Sequence, residues 1–262
     1  MWYRLFLMGL LLSHNPIFAN NQGSLLKIAS PTWPGSVNKD GTGTYLELFR
    51  TIYAPSAINI VHVNVPQLRD NEMVERGLAE VTFDLFEGES PKMSFPFFPM
   101  SAIIGTAVFL KERTTWEGEK SVTDKRVAWI LGYDLHKIIP FPVKMYEVGD
   151  ISQGIDMVMA GRQDFYVDED TAIKDYFAKN KDKDKAERLG TAKLYTSILF
   201  PGFSQTEKGK AFKVLYEKRM IELLKAGTLE AIYKKDKPPE IFNELKAELE
   251  KRARSYVPPQ AP

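Results

Sequence analysis

Apolar and polar positions along the first part of the chain predict strands separated by helices. SLLKIAS is a continuous apolar run, while INIVHVNV and AEVTFDLF alternate, and both patterns are typical of strands. Between them, GTYLELFRTIYA and NEMVERGL place apolar residues on one helical face. Strand, helix, strand, helix, strand is the pattern of a parallel sheet whose two faces are covered by helices.

The same pattern restarts after residue 110. RVAWIL, VKMYEV and DFYVDED predict strands, and DLHKII, ISQGIDMVMAG and TAIKDYFAKN predict helices. A further strand, LYTSILFPGFS, precedes a long amphipathic helix, KGKAFKVLYEKRMIELLKAG. The architecture repeats but the sequence does not. We therefore expect an α/β fold with two lobes, with one large doubly wound sheet as the alternative.

The amino-terminal segment has a different pattern. A single early cation, Arg4, precedes an apolar stretch at 5–12, followed by Pro16 and the small residue Ala19. This order is typical of a secretory signal peptide, and the stretch is shorter than the roughly 20 apolar residues that span a bilayer. We expect residues 1–19 to be a signal peptide and the mature protein to be periplasmic.

Composition narrows the classes of function. The 262 residues include 35 basic and 34 acidic side chains, so no basic surface for nucleic acid is expected. The absence of cysteine excludes disulfides, thiol chemistry and lipid attachment to a cysteine at the cleavage point. His14, His62 and His136 are scattered and predict neither a metal cluster nor a Ser-His-Asp triad. We expect a soluble monomer with no cofactor and no metal.

Six short segments carry a resemblance when they are taken in order. They are LKIASPTWPG, NKDGTGTYLELFRTIY, VERGLAEV, SFPFFPM, MVMAGRQDFYVDED and KAGTLEAIYKK. Together they resemble extracellular solute-binding protein family three, the amino-acid type of periplasmic binding protein. The resemblance implies a two-lobed type II fold, with a ligand cleft between lobes that two crossing segments join.

The resemblance also implies a division of the chain. We expect the hinge at the crossings near residues 110 and 195. The carboxyl-terminal part extends past the usual end of the family, and apolar residues at four-residue spacing in IFNELKAELEKRA predict an extra surface helix before a flexible tail. The expected parts are lobe one at 24–110 and 196–238, lobe two at 111–195, and the extra helix with its tail at 239–262.

The run DFYVDED places three carboxylates at the end of an apolar strand. Ligands of α/β sheets bind beyond the carboxyl ends of the strands, and the resemblance implies that Asp168 contacts the ammonium group of the ligand. In the alternative interpretation, Asp168 caps the following helix while Glu169 and Asp170 favour its positive amino terminus.

The opposite lobe departs from the family pattern. An arginine that grips the ligand carboxylate is expected there, but counting from Glu80 leads to Lys92, and counting back from SFPFF leads to Glu87. The shortened loop instead supplies Asp84, Glu87 and Glu89 near the cleft rim. We expect Asp84, Glu87 and Lys92 to contact a ligand, and an acidic cleft suits a cationic one. In the alternative interpretation, the loop is a solvent-exposed turn.

Three further contacts are implied by the resemblance. Trp33 follows the first strand and could offer an aromatic wall to a cation, or pack between its neighbouring prolines. Gly132 and Tyr133 lie in ILGYD, at a strand-to-helix turn where backbone N–H groups face an anion, and Tyr133 replaces the usual small hydroxyl residue.

These observations predict a binding protein that performs no chemistry. It would close around a small, polar, amino-acid-like solute and pass it to the inner-membrane permease of an ABC-type importer. The acidic cleft predicts a preference for a cationic solute. One alternative is a ligand-sensing protein that presents its closed form to a membrane sensor. Another is an enzyme resembling periplasmic cyclohexadienyl dehydratases, although such a site needs cations for the carboxylates of its substrate.

Overall fold

The computed structural model describes residues 24–133, 135–137, 139, 141–180 and 182–257. The predicted signal peptide and the end of the predicted tail lie outside these residues. The first α/β unit has the predicted order, with α2 beginning earlier than its pattern indicated. Its elements are β1 (Leu25–Ser30), α1 (Thr44–Tyr53), β2 (Asn59–Asn64), α2 (Gln67–Glu75) and β3 (Val81–Leu85), and β1 is parallel to both β2 and β3.

A second α/β unit of alternating strands and helices follows. A single 3-10 turn, Leu135–Lys137, stands where DLHKII predicted a short helix. Strand β6 is parallel to β7 and to β8, as expected for crossover connections through helices. The elements are β6 (Arg126–Ile130), β7 (Lys144–Val148), α3 (Ile151–Met159), β8 (Phe165–Glu169), α4 (Asp170–Lys179) and α5 (Lys183–Arg188).

Two long strands connect the units. After the short β4 (Met93–Ser94), β5 (Ser101–Leu110) pairs antiparallel with β9 (Leu189–Ser204) over its whole length. Strand β9 then continues into the first unit, where it pairs with β3, while β5 pairs with β8 of the second unit. The hydrogen-bonded order is β2-β1-β3-β9-β5-β8-β6-β7, with β4 beside β9.

The carboxyl-terminal helices return to the first unit. They are α6 (Glu207–Lys225), α7 (Thr228–Tyr233) and α8 (Pro239–Ala253). Phe242, Leu245 and Leu249 of α8 are buried in the core that also contains Phe49 of α1. Burying such side chains contributes about 1.5–3 kcal/mol each, so α8 is a structural part of this unit. Within the described ranges, no helix combines the length and the apolar character that a membrane span requires.

Candidate functional site

The carboxyl ends of β3 and β8 face one another across a cleft. Two adjoining cavities, of about 60 and 500 Å³, occupy it. Both are lined by Trp33, Asp84, Tyr133, Asp168 and Glu169. The cleft therefore brings one carboxylate from the first unit together with two from the second.

Asp84 lies at a distorted position near the end of β3. Its φ of 57° is in the left-handed region, and the pairing of β3 with β9 shifts register between Thr82 and Leu85. A non-glycine residue in this conformation costs on the order of 1–3 kcal/mol, which is typical of functional sites. Atom Oδ1 is buried without a hydrogen-bond partner in the described part of the chain. Burial raises the pKa of Asp84 to about 6, and the charge of Lys237 opposes this rise.

Asp168 is the most enclosed of the three carboxylates, with 3% of its surface exposed. Its carboxylate accepts hydrogen bonds from the Tyr166 hydroxyl and, at 2.8 Å, from the Glu169 N–H. Burial raises the pKa of Asp168, while these hydrogen bonds oppose the rise. Asp168 does not cap α4, because Glu169 is the N-cap residue of this helix and makes no side-chain cap, while Asp170 lies in the first turn, as the alternative interpretation expected.

Glu169 completes the carboxylate group, although the sequence ranked it below Asp168. Burial raises the pKa of Glu169 to about 7, with Asp84 and Asp168 adding to the rise and Lys237 opposing it. Strand β8 ends at Glu169, and α4 begins at the next residue. At this junction both Asp168 and Glu169 line the cleft. In the part of the chain that the structure describes, no group of three His, Asp or Glu side chains is arranged to hold a metal ion.

Aromatic side chains form the walls of the cleft. Trp33 is half-buried, in a tight turn whose backbone N–H donates to Val37 O at 2.9 Å. Tyr133 and Tyr195 also line the smaller cavity, and burial raises the pKa of both hydroxyls. Both tyrosines therefore keep their protons at neutral pH. Aromatic faces attract cations, so these walls suit the same ligand as the carboxylates.

The structure places Glu87 and Lys92 outside both cavities. Glu87 forms an ion pair with Arg252 of α8 at 2.7 Å, and exposed Lys92 lies 3.4 Å from Glu75. The loop between β3 and β4 folds against α8 and α2, which turns these side chains away from the cleft. Of the predicted acidic rim, Asp84 is the residue that reaches the lining.

Gly132 is also outside the cavity linings. It is exposed, with φ of 87°, and its N–H donates to Glu147 Oε1 at 3.3 Å. That N–H is therefore directed at a side chain of the neighbouring strand, β7. The following residue, Tyr133, is the one that faces the cleft.

Lys237 is a lining residue that the sequence did not indicate. It lies in the segment between α7 and α8, where KKDKP has the composition of a solvated charged turn. Its Nζ donates to Ser36 Oγ at 2.5 Å and lies 5.1 Å from the centroid of the Tyr45 ring. Contacts between residues so distant in sequence leave no local pattern.

Comparisons with known proteins identify the fold. No protein-family model matches the chain, and no curated protein matches it. The amino-acid ABC transporter substrate-binding protein AbpA from Streptococcus pneumoniae, bound to L-arginine, is 16% identical, with a TM-score of 0.58 over 86% of this chain and 96% of that chain. The GluR0 ligand-binding core from Nostoc punctiforme, in complex with L-glutamate, is 14% identical, with a TM-score of 0.60 over 80% of this chain and 98% of that chain.

A histidine kinase sensor domain with similarity to periplasmic binding proteins is 12% identical, with a TM-score of 0.62 over 82% of this chain and 96% of that chain. This protein has the two-lobed periplasmic-binding-protein fold, built from mixed α/β lobes. The fold class predicted from the order of the strands and helices is confirmed. The resemblance to amino-acid-type binding proteins is confirmed at the level of the fold.

Proposed function

We propose that this protein binds a small, polar, positively charged solute of amino-acid type in the cleft between its lobes. The observation that carries the proposal is the convergence of Asp84, Asp168 and Glu169 on one cavity with aromatic walls. Buried carboxylates are costly unless a cation compensates them, and a ligand ammonium or guanidinium would do so.

The arrangement couples binding to lobe closure. Asp84 belongs to one lobe, and Asp168 and Glu169 belong to the other, so a cation between them contacts both lobes at once. Without a ligand, the approach of like charges disfavours closure. A ligand that makes these contacts only in the closed form shifts the population towards it. In a periplasmic location, the closed form would then deliver the solute to an ABC importer.

A thermal-shift screen of purified protein tests the charge preference. The panel contains arginine, lysine, ornithine, putrescine, glutamate and glutamine, with calorimetry on each compound that shifts the melting temperature. A ligand at 100 times its dissociation constant stabilises the folded state by about 2.7 kcal/mol. We expect the cationic compounds to give the largest shifts. Tighter binding of glutamate would contradict the proposal.

An acid function is the second candidate, because a buried carboxyl group with a pKa of about 7 beside the cavity also suits proton donation to a substrate. Among proteins with this fold, an enzyme of the dehydratase type would use such a group. We expect incubation with prephenate or arogenate to leave both compounds unchanged, as followed by chromatography. Turnover that depends on Glu169 would establish the enzyme instead.

Sensing remains the alternative to transport for the same binding event, and the sensor domain with this fold supports it. Both roles use the closed, liganded form, and they differ in its partner. Uptake of labelled solute by cells with and without the protein separates them, because a transport role predicts lost uptake and a sensing role does not.

A further inference from the structure

We infer that Lys237 holds the carboxylate of the solute, so that the cleft selects cationic amino acids over the corresponding amines. This inference rests on the proposed function of the same cleft. It identifies the chemical class of the solute more narrowly, as a molecule with a carboxylate at one end and a cation at the other.

The backbone around Lys237 is fixed against α1. Lys235 Nζ lies 2.5 Å from Glu47 Oε1, and Thr44 Oγ1 donates to Asp236 Oδ2 at 3.3 Å. The N–H of Lys237 donates to Tyr233 O at 3.0 Å, so this residue continues the last turn of α7. The linker is therefore held up to and including Lys237, whose side chain lines the cavity.

The ammonium group of Lys237 is held in place without being neutralised. Ser36 Oγ accepts one hydrogen bond from it, and the face of Tyr45 lies beneath it. Among the described residues, no carboxylate forms an ion pair with it. Its charge still reaches the cleft, since it lowers the pKa of Asp84 and of Glu169. A half-buried ammonium with donors to spare is suited to an anionic group of a ligand.

Lys174 also lines the larger cavity but is not equivalent. Its Nζ lies 2.5 Å from Asp170 Oδ2 and 3.7 Å from Glu240 Oε1, and 60% of the side chain is exposed. The two carboxylates already compensate its charge. In the described part of the lining, Lys237 is therefore the cation that is available to a ligand carboxylate.

The positions of the charges predict how a solute lies in the cleft. Its cationic end would contact Asp84, Asp168 and Glu169, and its carboxylate would lie beside Lys237. An amine without a carboxylate leaves the half-buried Lys237 ammonium beside another cation, where the repulsion of like charges weakens binding. A point charge such as lysine accepts a carboxylate without the two-pronged geometry of arginine.

Matched pairs of ligands test the inference. Arginine with agmatine, and lysine with cadaverine, differ by the carboxylate alone. Calorimetry on the wild-type protein is expected to show each amino acid binding at least about tenfold more tightly than its amine. Lys237→Gln is expected to reduce this ratio to within about threefold, mainly by weakening the amino acid.

Two further variants separate a local role from a general loss of charge or folding. Lys235→Gln removes a neighbouring charge that is directed at Glu47, and we expect it to leave the ratio unchanged. Lys237→Arg keeps a cation at the site and is expected to retain most of the preference. Circular dichroism and thermal melting check that all three variants fold.

The outcomes distinguish the inference from the proposed function. If an amine binds the wild type as tightly as its amino acid, or if Lys237→Gln keeps the tenfold ratio, the inference is overturned and the proposed cation-binding cleft stands. If none of the four compounds binds, the proposed function is overturned and the inference falls with it.

Discussion

Asp168 illustrates how the packing around the end of a strand fixes a carboxylate in the lining of a cleft. Its carboxylate is buried and held by the Tyr166 hydroxyl and the Glu169 N–H, so its position is set before a ligand binds. Asp168→Asn keeps the shape and removes the charge. We expect calorimetry to show that the variant binds a cationic solute more weakly than the wild type, by about 1.5–3 kcal/mol. The melting temperature of the variant should stay within a few degrees of the wild-type value.

Asp184→Asn serves as the matched control for this change. Asp184 lies on exposed α5, beside Arg188, and outside the cleft. The control should leave the affinity unaltered. Equal affinity of the Asp168→Asn variant and the wild type would show that Asp168 does not contact the cation.

The raised pKa values of Glu169 and Asp84 predict a dependence of stability on pH. Both groups have ordinary values near 4 and folded values of about 7 and about 6, so the ligand-free folded protein binds more protons than the unfolded chain between these limits. The free energy of unfolding therefore falls as pH rises from about 4 to about 7. Asp168 also raises the pKa of Glu169, whereas Lys237 and Thr171 lower it, and the value of about 7 includes all three effects.

Thermal melting of the ligand-free protein across this pH range measures the effect. Glu169→Gln cannot ionise, so we expect its melting temperature to decline less steeply with pH than that of the wild type. Binding of a cation favours the ionised carboxylates, and the affinity should therefore increase over the same interval. Equal slopes for the wild type and for the Glu169→Gln variant would contradict the assignment.

The sequence predicted some of the residues that line the cleft and missed the positions of others. Trp33, Asp84, Tyr133 and Asp168 line the cleft because each follows or ends a strand, and strand ends are visible in an apolar pattern. Their contacts with a ligand stay predictions. Counting residues along the loop indicated Glu87 and Lys92 as candidates but could not predict where their side chains point. Contacts with α8 and α2 determine those directions.

At the scale of elements, β5 is the long strand that the pattern did not reveal. SAIIGTAVFL is buried at nearly every position, because β8 and β9 pair with its two edges and helices α3, α4 and α8 pack against it. A strand of this kind lacks alternation, and its apolar run cannot be distinguished from a buried helix by periodicity. The alternating strands β2 and β3 were found within two residues of their observed ends.

Gly105 in the middle of β5 gives a prediction at this scale. A Cβ at this position would overlap the ring of Tyr195, which crosses over β5 and lines the cleft. Gly105→Ala should therefore displace the tyrosine and destabilise the protein by about 1–3 kcal/mol, as overpacking does. Urea unfolding measures the stability, and calorimetry should show weaker solute binding.

Gly149→Ala is the appropriate comparison. A Cβ at Gly149 would make an ordinary contact of 3.6 Å with Gln153 Oε1, so we expect little change in stability. If both variants unfolded at the same urea concentration as the wild type, close packing of Tyr195 on Gly105 would be excluded.

For the whole molecule, the fold class could be predicted because many weak local patterns agreed in order. The two crossings expected near residues 110 and 195 fall within β5 and β9, which pair over the whole length of β5, with a register shift after Gly105. The boundaries of the lobes stay predictions. The position of α8 could not be derived, since its amphipathic pattern shows that it packs but not which surface it covers.

Helix α8 gives the last prediction, because its charged face reaches across the crossing strands. Its apolar side is buried with the first lobe, while Glu240 lies 3.7 Å from Lys174 of α4 and Glu244 lies 3.2 Å from Lys193 of β9. The predicted boundaries assign both lysines to the second lobe. These two ion pairs should therefore favour the closed arrangement of the lobes.

We expect the double variant Glu240→Gln, Glu244→Gln to be more open without ligand and to bind the solute about threefold to tenfold more weakly, as befits exposed ion pairs. Small-angle X-ray scattering would show a larger radius of gyration for the ligand-free variant. High salt should reduce the difference from the wild type, since screening weakens exposed pairs. Glu230→Gln, which removes a pair with Lys234 inside the first lobe, controls for lost charge. Identical scattering and affinity for the double variant and this control would show that α8 does not bridge the lobes.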